Sequence, residues 1–345
     1  MKKAGLKVLS AVAGVVAAFA LTTSQGAGQV IAGHNGPVEF IGLKDWDAQE
    51  LFDTIRELAP DRPFHACAAV MRFELGFADA GAFRFSTDGS DDWYTVVVGV
   101  EDSTRVHYRQ TGSETVGLPD TWQKLKTVAA EDLRTLTAVA RTLNWDDLTV
   151  DGVSMNSREL AARMGADLET FDHVRELVHT ADGEEDRHLA HEVLARDSSW
   201  AARSVATLVQ GNFLDDDTSW HALVASLIDP LAPASSVAMA MLDGPTTFER
   251  DPVDWSQARS HLSAIFGGTN PFAFRSMLSA LVATDVDPEF ARQLMRENPD
   301  LLLAHVGAEH EYTRERALAF LKAISGEDLG TDVEAWTAWV TAQPG

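Results

Sequence analysis

From Glu184 onward the chain is a succession of short segments, each apolar on one face and none long enough to persist as an isolated helix in water. Such segments bury their apolar faces only by layering against one another. That requirement predicts an all-α helical repeat array over residues 184–345, closed by a C-terminal cap.

Two devices recur along this stretch. The first is an Asx residue followed by proline: Asp229-Pro230, Asp251-Pro252, Asn270-Pro271, Asp287-Pro288 and Asn298-Pro299. The Asx side chain can accept from free backbone N–H groups, and proline at the first helical position loses no hydrogen bond there, so each pair predicts a helix start. The second is an arginine followed three residues later by an apolar residue, at Arg187, Arg203, Arg259, Arg275, Arg292 and Arg314. Three of the successive steps are about 16–17 residues, so a helix pair occupies about 33–37, the range of two-helix solenoids.

The R-x-x-A spacing in Arg187-His188-Leu189-Ala190-His191-Glu192-Val193-Leu194 and in Arg314-Glu315-Arg316-Ala317-Leu318-Ala319-Phe320-Leu321 resembles the second half of a HEAT repeat. The tail from Leu321 to Asp332, followed by Trp336 and Trp339, is similar to the closing segment of many bacterial HEAT-repeat proteins. The resemblance spans about Glu184 to Val340. It implies a HEAT-like α solenoid that serves as a scaffold or protein-binding surface, and it implies no catalytic residues. Trp336 and Trp339 share one face of the last helix, as an exposed aromatic platform or as a cap over the last apolar layer; a buried indole needs a partner for its N–H.

The first half has a different period. Val38-Glu39-Phe40-Ile41 reads as a short strand, and Asp45 is placed to cap a helix through Leu51, Phe52, Ile55 and Leu58. A second helix runs from Phe64 to about Leu75. Ala82–Phe85, Trp93–Val100 and Arg105–Arg109 alternate or are β-rich, which predicts a three-stranded antiparallel meander with the two helices as its lid. Leu118-Pro119-Asp120 opens one long helix through Leu143. Residues 38–144 are therefore expected to form a small α+β domain, and residues 145–183 a helical connector containing segments at 157–164 and 168–179.

The first residues look like an export address. Lys2, Lys3 and Lys7 precede the apolar run Val8–Leu21, and Ala18-Phe19-Ala20 offers a cleavage site. Residues 1–28 are read as a signal peptide and the start of a linker continuing to Pro37, with cleavage after Ala20 or within the following few residues. The mature protein is expected to be secreted or periplasmic. The run is shorter than the ~20 residues of a spanning helix, and no later segment is long and apolar enough to cross a membrane.

The formal net charge of −24 repels phosphate backbones, so nucleic acid is excluded as an expected partner and a protein or peptide is expected instead. The single cysteine, Cys67, allows neither an intramolecular disulfide nor a cysteine-based metal site. It sits in an apolar run and reads as a small buried hydrophobe.

No catalytic, cofactor-binding or metal-ligating residue is assigned, and no cofactor is expected. His188 and His191, with Glu184, Glu185 and Glu192, form the strongest metal candidate, but H-x-x-H matches neither of the zinc-protease orders that also position a glutamate. His305 and His310 read as loop decoration. Asp88, Asp91 and Asp92 lack the spacing of a calcium loop. Asp215-Asp216-Asp217 precedes a helix, where negative charge meets the positive end of the dipole. The reading is an exported, non-enzymatic binding or scaffold protein. Its alternatives are a metal-assisted hydrolase with a site in the first half or near His188 and His191, and a salt-adapted structural protein of the cell envelope.

Overall fold

A computed structural model describes residues 28–86, 93–144, 148–150, 153–244 and 252–342. The expected signal peptide and the polar turn at Asp88–Asp92 lie outside the described residues, apart from Gly28.

Strands β1 (Gln29–Gly33), β2 (Gly36–Ile41), β3 (Asp79–Ser86) and β4 (Trp93–Val100) form one sheet in the order β1-β2-β4-β3. Helices α1 (Ala48–Leu58) and α2 (Cys67–Phe73) lie between β2 and β3 in the chain. The hairpin β3–β4 is antiparallel as expected, but β2 and β4 run parallel, so the sheet is mixed rather than a simple meander. Part of the expected linker is itself structured: residues 29–33 pair antiparallel with β2. The segment 105–109, expected as a third meander strand, belongs to no strand. Its backbone bonds go to the helices instead, with Arg109 N–H donating to Ile228 O (2.9 Å) and His107 N–H to Thr269 Oγ1 (2.7 Å).

Alternation along the strands divides the sheet between two cores. Val38, Phe40, Ala80 and Val97 pack with Leu51, Ile55, Val70 and Met71 of the two lid helices. Ile41, Val96 and Val98 face the other way, into the helical core. Helices on both sides explain why Val96-Val97-Val98 is a continuous apolar run with no exposure at any of its three residues.

The rest of the chain is helical apart from the short hairpin of β5 (Leu148–Val150) and β6 (Val153–Met155). The helices are α3 (Asp120–Glu131), α4 (Leu133–Thr142), α5 (Ser157–Arg163), α6 (Leu168–His179), α7 (Glu184–Arg196), α8 (Trp200–Val209), α9 (Asp217–Leu227) and α10 (Ala232–Leu242). They continue as α11 (Arg259–Gly267), α12 (Phe274–Ala283), α13 (Pro288–Glu297), α14 (Asp300–Val306), α15 (Glu311–Ser325) and α16 (Val333–Thr341). The architecture is thus an α+β N-terminal unit followed by a helical array. The single long helix expected over 120–143 is two, because Asp132 breaks it and caps the second, its side chain accepting from Thr135 N–H. Moreover α3 packs on α8, and α4 on α6 and α10. Trp122, Leu125, Leu136 and Val139 share one core with Ala202 and Val205, so α3 and α4 pack with the helices of the array.

Five of the six recurring arginines tie one helix to the beginning or end of another; Arg314 bonds the loop before its own helix. Arg187 pairs with Asp216, Arg259 with Glu297 (2.5 Å), Arg275 donates to Tyr312 O (2.6 Å), and Arg292 donates to Trp339 O (3.1 Å). Arg203 is the deepest, 1% exposed, and grips Asp229 through Nε (2.7 Å) and Nη2 (3.0 Å). Asp229 is also held by Arg109 Nη2 (2.6 Å), and it accepts Leu231 N–H (3.0 Å) just before α10. Burial acts to raise the Asp229 carboxyl, but the Arg203 hydrogen bonds and the Arg109 charge outweigh it and hold the group below its ordinary range.

Of the Asx-Pro pairs, Asp287-Pro288 makes the expected start, with Asp287 accepting Phe290 N–H (2.7 Å) and proline in the first turn. Asp251 lies outside the described residues. Asn270 and Asn298 turn away from their helices, their amides donating to Leu227 O (2.7 Å) and Ser263 Oγ (3.3 Å). The C-terminal tryptophans form a cap: Trp336 is fully buried and donates to Gly330 O (2.9 Å), and Arg292 lies 4.7 Å over the Trp339 ring.

Replacing Asp229 with alanine leaves two guanidinium groups without their shared carboxylate. It is expected to cost about 3–5 kcal/mol in urea unfolding. A loss below about 1 kcal/mol would show that water, not Asp229, satisfies them.

Candidate binding surface

The array-facing side of the sheet is not wholly apolar. Two buried carboxylates project from it, and each meets the loop that begins a helix. Asp79, 1% exposed, accepts Asn270 N–H (2.9 Å) and Tyr108 Oη–H (2.6 Å) ahead of α12, with Arg72 Nε 3.4 Å from its other oxygen. Glu39, with no exposure, accepts the backbone N–H groups of Glu309 and His310 (3.2 Å to the latter) at the start of α15, and the Tyr94 hydroxyl (3.1 Å). Negative charge at a helix N-terminus is favourable, so both contacts fix the sheet on the array in one register. Burial pushes the Glu39 carboxyl up even though all three hydrogen bonds act the other way. Burial and the neighbouring carboxylates likewise push up the Tyr94 and Tyr108 phenols.

An aromatic row runs between these two anchors. Phe83 stacks on Phe272 at 4.8 Å between ring centroids, and Phe85 stacks on His310 at 4.5 Å. Tyr94 lies 4.2 Å from the His310 ring, and Tyr312 lies 6.0 Å from Phe85. The Arg275 guanidinium bridges the row, 5.7 Å from Phe83 and 5.0 Å from Phe85. Burial lowers its pKa to about 10. Gly81 permits this approach, since a Cβ there would stand 3.0 Å from the Phe272 nitrogen. The outer members of the row reach solvent: Phe272 is 39% exposed and Tyr312 54%.

Among the described residues, four buried polar atoms without partners come from this end of the array, Arg275 Nε, His305 Nε2, His310 Nδ1 and Thr313 Oγ1, and four others, Arg109 Nε, Gln210 Nε2, His261 Nδ1 and Arg292 Nε, lie elsewhere. His305 is not loop decoration. It lies inside α14, fully buried, with Nδ1 2.8 Å from Leu301 O and its ring 4.9 Å from Phe274. Burial drives its pKa down to about 4. His310 immediately precedes α15 and is packed into the aromatic row. Neither role is legible in sequence, because the flanking residues are ordinary helix and loop residues and the partners come from elsewhere.

The other candidates are dispersed. His188 is exposed and reaches Glu184 (3.5 Å), whereas His191 Nε2 faces Thr218 Oγ1 (3.4 Å). Glu184, Arg187, Phe213 and Asp215–Asp217 line an open depression of about 730 Å³, in which Arg187 neutralises Asp216 and Asp216 caps α9. Among the described residues, no group of three or more histidine, cysteine, aspartate or glutamate side chains is placed to hold a metal ion. Cys67 is buried, and burial pushes its thiol up to about 12, so it is neutral at physiological pH. No helix among the described residues is long and apolar enough to cross a membrane.

No family model, curated protein or solved structure matches the chain.

The depressed His305 value has a defined consequence. The unfolded chain binds a proton at the ordinary histidine pKa, while the folded chain resists it until about pH 4. Stability from His305 is therefore full above about pH 6.5 and falls as pH drops toward 4. Wild type should lose roughly 2–3 kcal/mol more than His305→Asn between pH 7 and pH 4 in paired urea titrations. Parallel curves would show that His305 takes up its proton without unfolding.

Proposed function

We propose that the chain is a non-enzymatic binding or scaffold protein that works outside the cytoplasm and grips a protein or peptide partner. The observation that carries the reading is the aromatic row at the junction of sheet and array. It is built from rigid rings, held by Arg275 and the Glu39 anchor, and it ends in Phe272 and Tyr312 at the surface. Aromatic and arginine side chains dominate interface energetics, and aromatic rings bury much area with little loss of side-chain freedom.

The charge balance supports the same choice of partner, since a chain at −24 is repelled by nucleic acid. The scaffold reading agrees with the architecture: a helical array offers an extended surface on which many modest contacts add up. The apolar run at the start of the sequence supports work outside the cytoplasm.

Peptides selected from a displayed random library against residues 28–345 are expected to crosslink to the β3–α12–α15 junction. Phe272→Ser and Tyr312→Ser should each weaken them at least tenfold, about 1.4 kcal/mol. Both sites are partly exposed, so the thermal midpoint should stay within about 3 °C of wild type. Peptides that crosslink elsewhere, or that ignore both substitutions, would remove the surface. Steady turnover of any substrate by the purified protein, abolished by a clustered set of substitutions, would overturn the non-enzymatic reading.

A further inference from the structure

Glu39 has a neighbour that the helical array does not supply. A Cβ built on Gly28 would stand 2.0 Å from Glu39 Oε1 and 2.9 Å from its Cδ, so the Gly28 backbone lies directly against the carboxyl group and any side chain there would displace it. The Gly28 nitrogen donates to Gly307 O (3.1 Å), in the loop before α15. The groups facing Glu39 are Tyr94 from β4 and Glu309 and His310 from the loop. The adjacent cation, Arg314 of α15, is directed to Ala308 O (3.0 Å) and Glu309 O (2.5 Å), not to Glu39. Among the described residues, the carboxylate thus receives neutral donors and no side-chain counter-ion, an expensive arrangement for a buried charge.

In the unprocessed chain the Gly28 nitrogen is an amide to Ala27 and carries no charge. We propose that Gly28 is the first residue of the working protein and that its α-ammonium group is the counter-ion of Glu39. A leader-removing peptidase would hydrolyse the Ala27–Gly28 bond. Water supplies the oxygen that leaves on the Ala27 carboxylate, and Gly28 retains the nitrogen, protonated at neutral pH. One N–H of the ammonium keeps Gly307 O, and another is free for Glu39 Oε1. Gln25-Gly26-Ala27 lacks the second small residue of an A-x-A site, so the cut is assigned to a trimming step that follows cleavage after Ala20 and removes Leu21–Ala27. The inference is independent of the binding reading.

The test compares protein cut by a sequence-specific protease to begin at Gly28 with protein beginning at Leu21. The Gly28 start is expected to unfold roughly 3 °C higher at pH 7. Pairing raises the folded pKa of the amine, so while Glu39 is ionised the gain is full below about pH 8 and is lost as pH rises further; it is also lost on acidification as Glu39 takes up its proton. Acetylating the Gly28 amine should erase the gain, and so should Glu39→Gln. Intact mass of the exported protein should give Gly28 as its start. Equal midpoints for the two starts, or a gain that survives acetylation or pH 11, overturns the ion pair. An exported protein that retains Leu21–Ala27 overturns the processing.

Discussion

A buried carboxylate gripped by arginine is the contact on which the helical array turns. Asp229 receives Arg203 from α8 and Arg109 from the extended segment that crosses from sheet to helices, and it also holds the backbone just before α10. Three parts of the chain meet at one charge. Each charge is costly to bury alone, so the geometry that satisfies all of them is narrow. The other recurring arginines repeat the principle with weaker or more exposed partners: Asp216, Glu297, Tyr312 O and Trp339 O. Apolar layering provides the driving force for the array, while these contacts select how its members meet.

The sheet is docked by the same means. Its array-facing side is apolar at Ile41, Val96 and Val98 but carries Asp79 and Glu39, which seek the starts of α12 and α15. Apolar contact alone would tolerate sliding by a residue or two. A carboxylate bonded to particular backbone N–H groups does not, because sliding would leave it buried and unpaired. The aromatic row from Phe272 to Tyr94 fills the space between the anchors and inherits its geometry from them. Surface and anchorage are therefore one feature: Phe272 is presented by the loop before α12 and Tyr312 by the first turn of α15, and the sheet holds the backbone at both places.

Much of this was visible in local pattern. The Val96-Val97-Val98 run reads as a strand, the spacing of Leu51 and Ile55 as a helix, and Asp287-Pro288 as a helix start, because each depends on neighbours within one turn or one pleat. The strand at 29–33 is not legible in local pattern because it is short and lies among glycines, reading as a linker until β2 is beside it. The segment 105–109 alternates like a strand, yet its backbone partners are Ile228 and Thr269, so alternation there reflects a strap with one side on the helices. Asn270-Pro271 looked like Asp287-Pro288, but its amide is claimed by Leu227 O.

The amino-acid sequence by itself determined the two-part character of the chain, the short helices that must stack, and the regular placement of the arginines, since periodicity and propensity act over a few residues. It also determined the acidic balance, which is a sum and needs no fold. Only the tertiary structure decided what each arginine holds, that both faces of the sheet are covered, that Glu39 and His305 are interior groups, and that His310 is half-buried among aromatic rings. Glu39 and Glu309 are separated by 270 positions along the chain. Burial and hydrogen bonding are properties of such meetings, and no local pattern encodes a partner that far away.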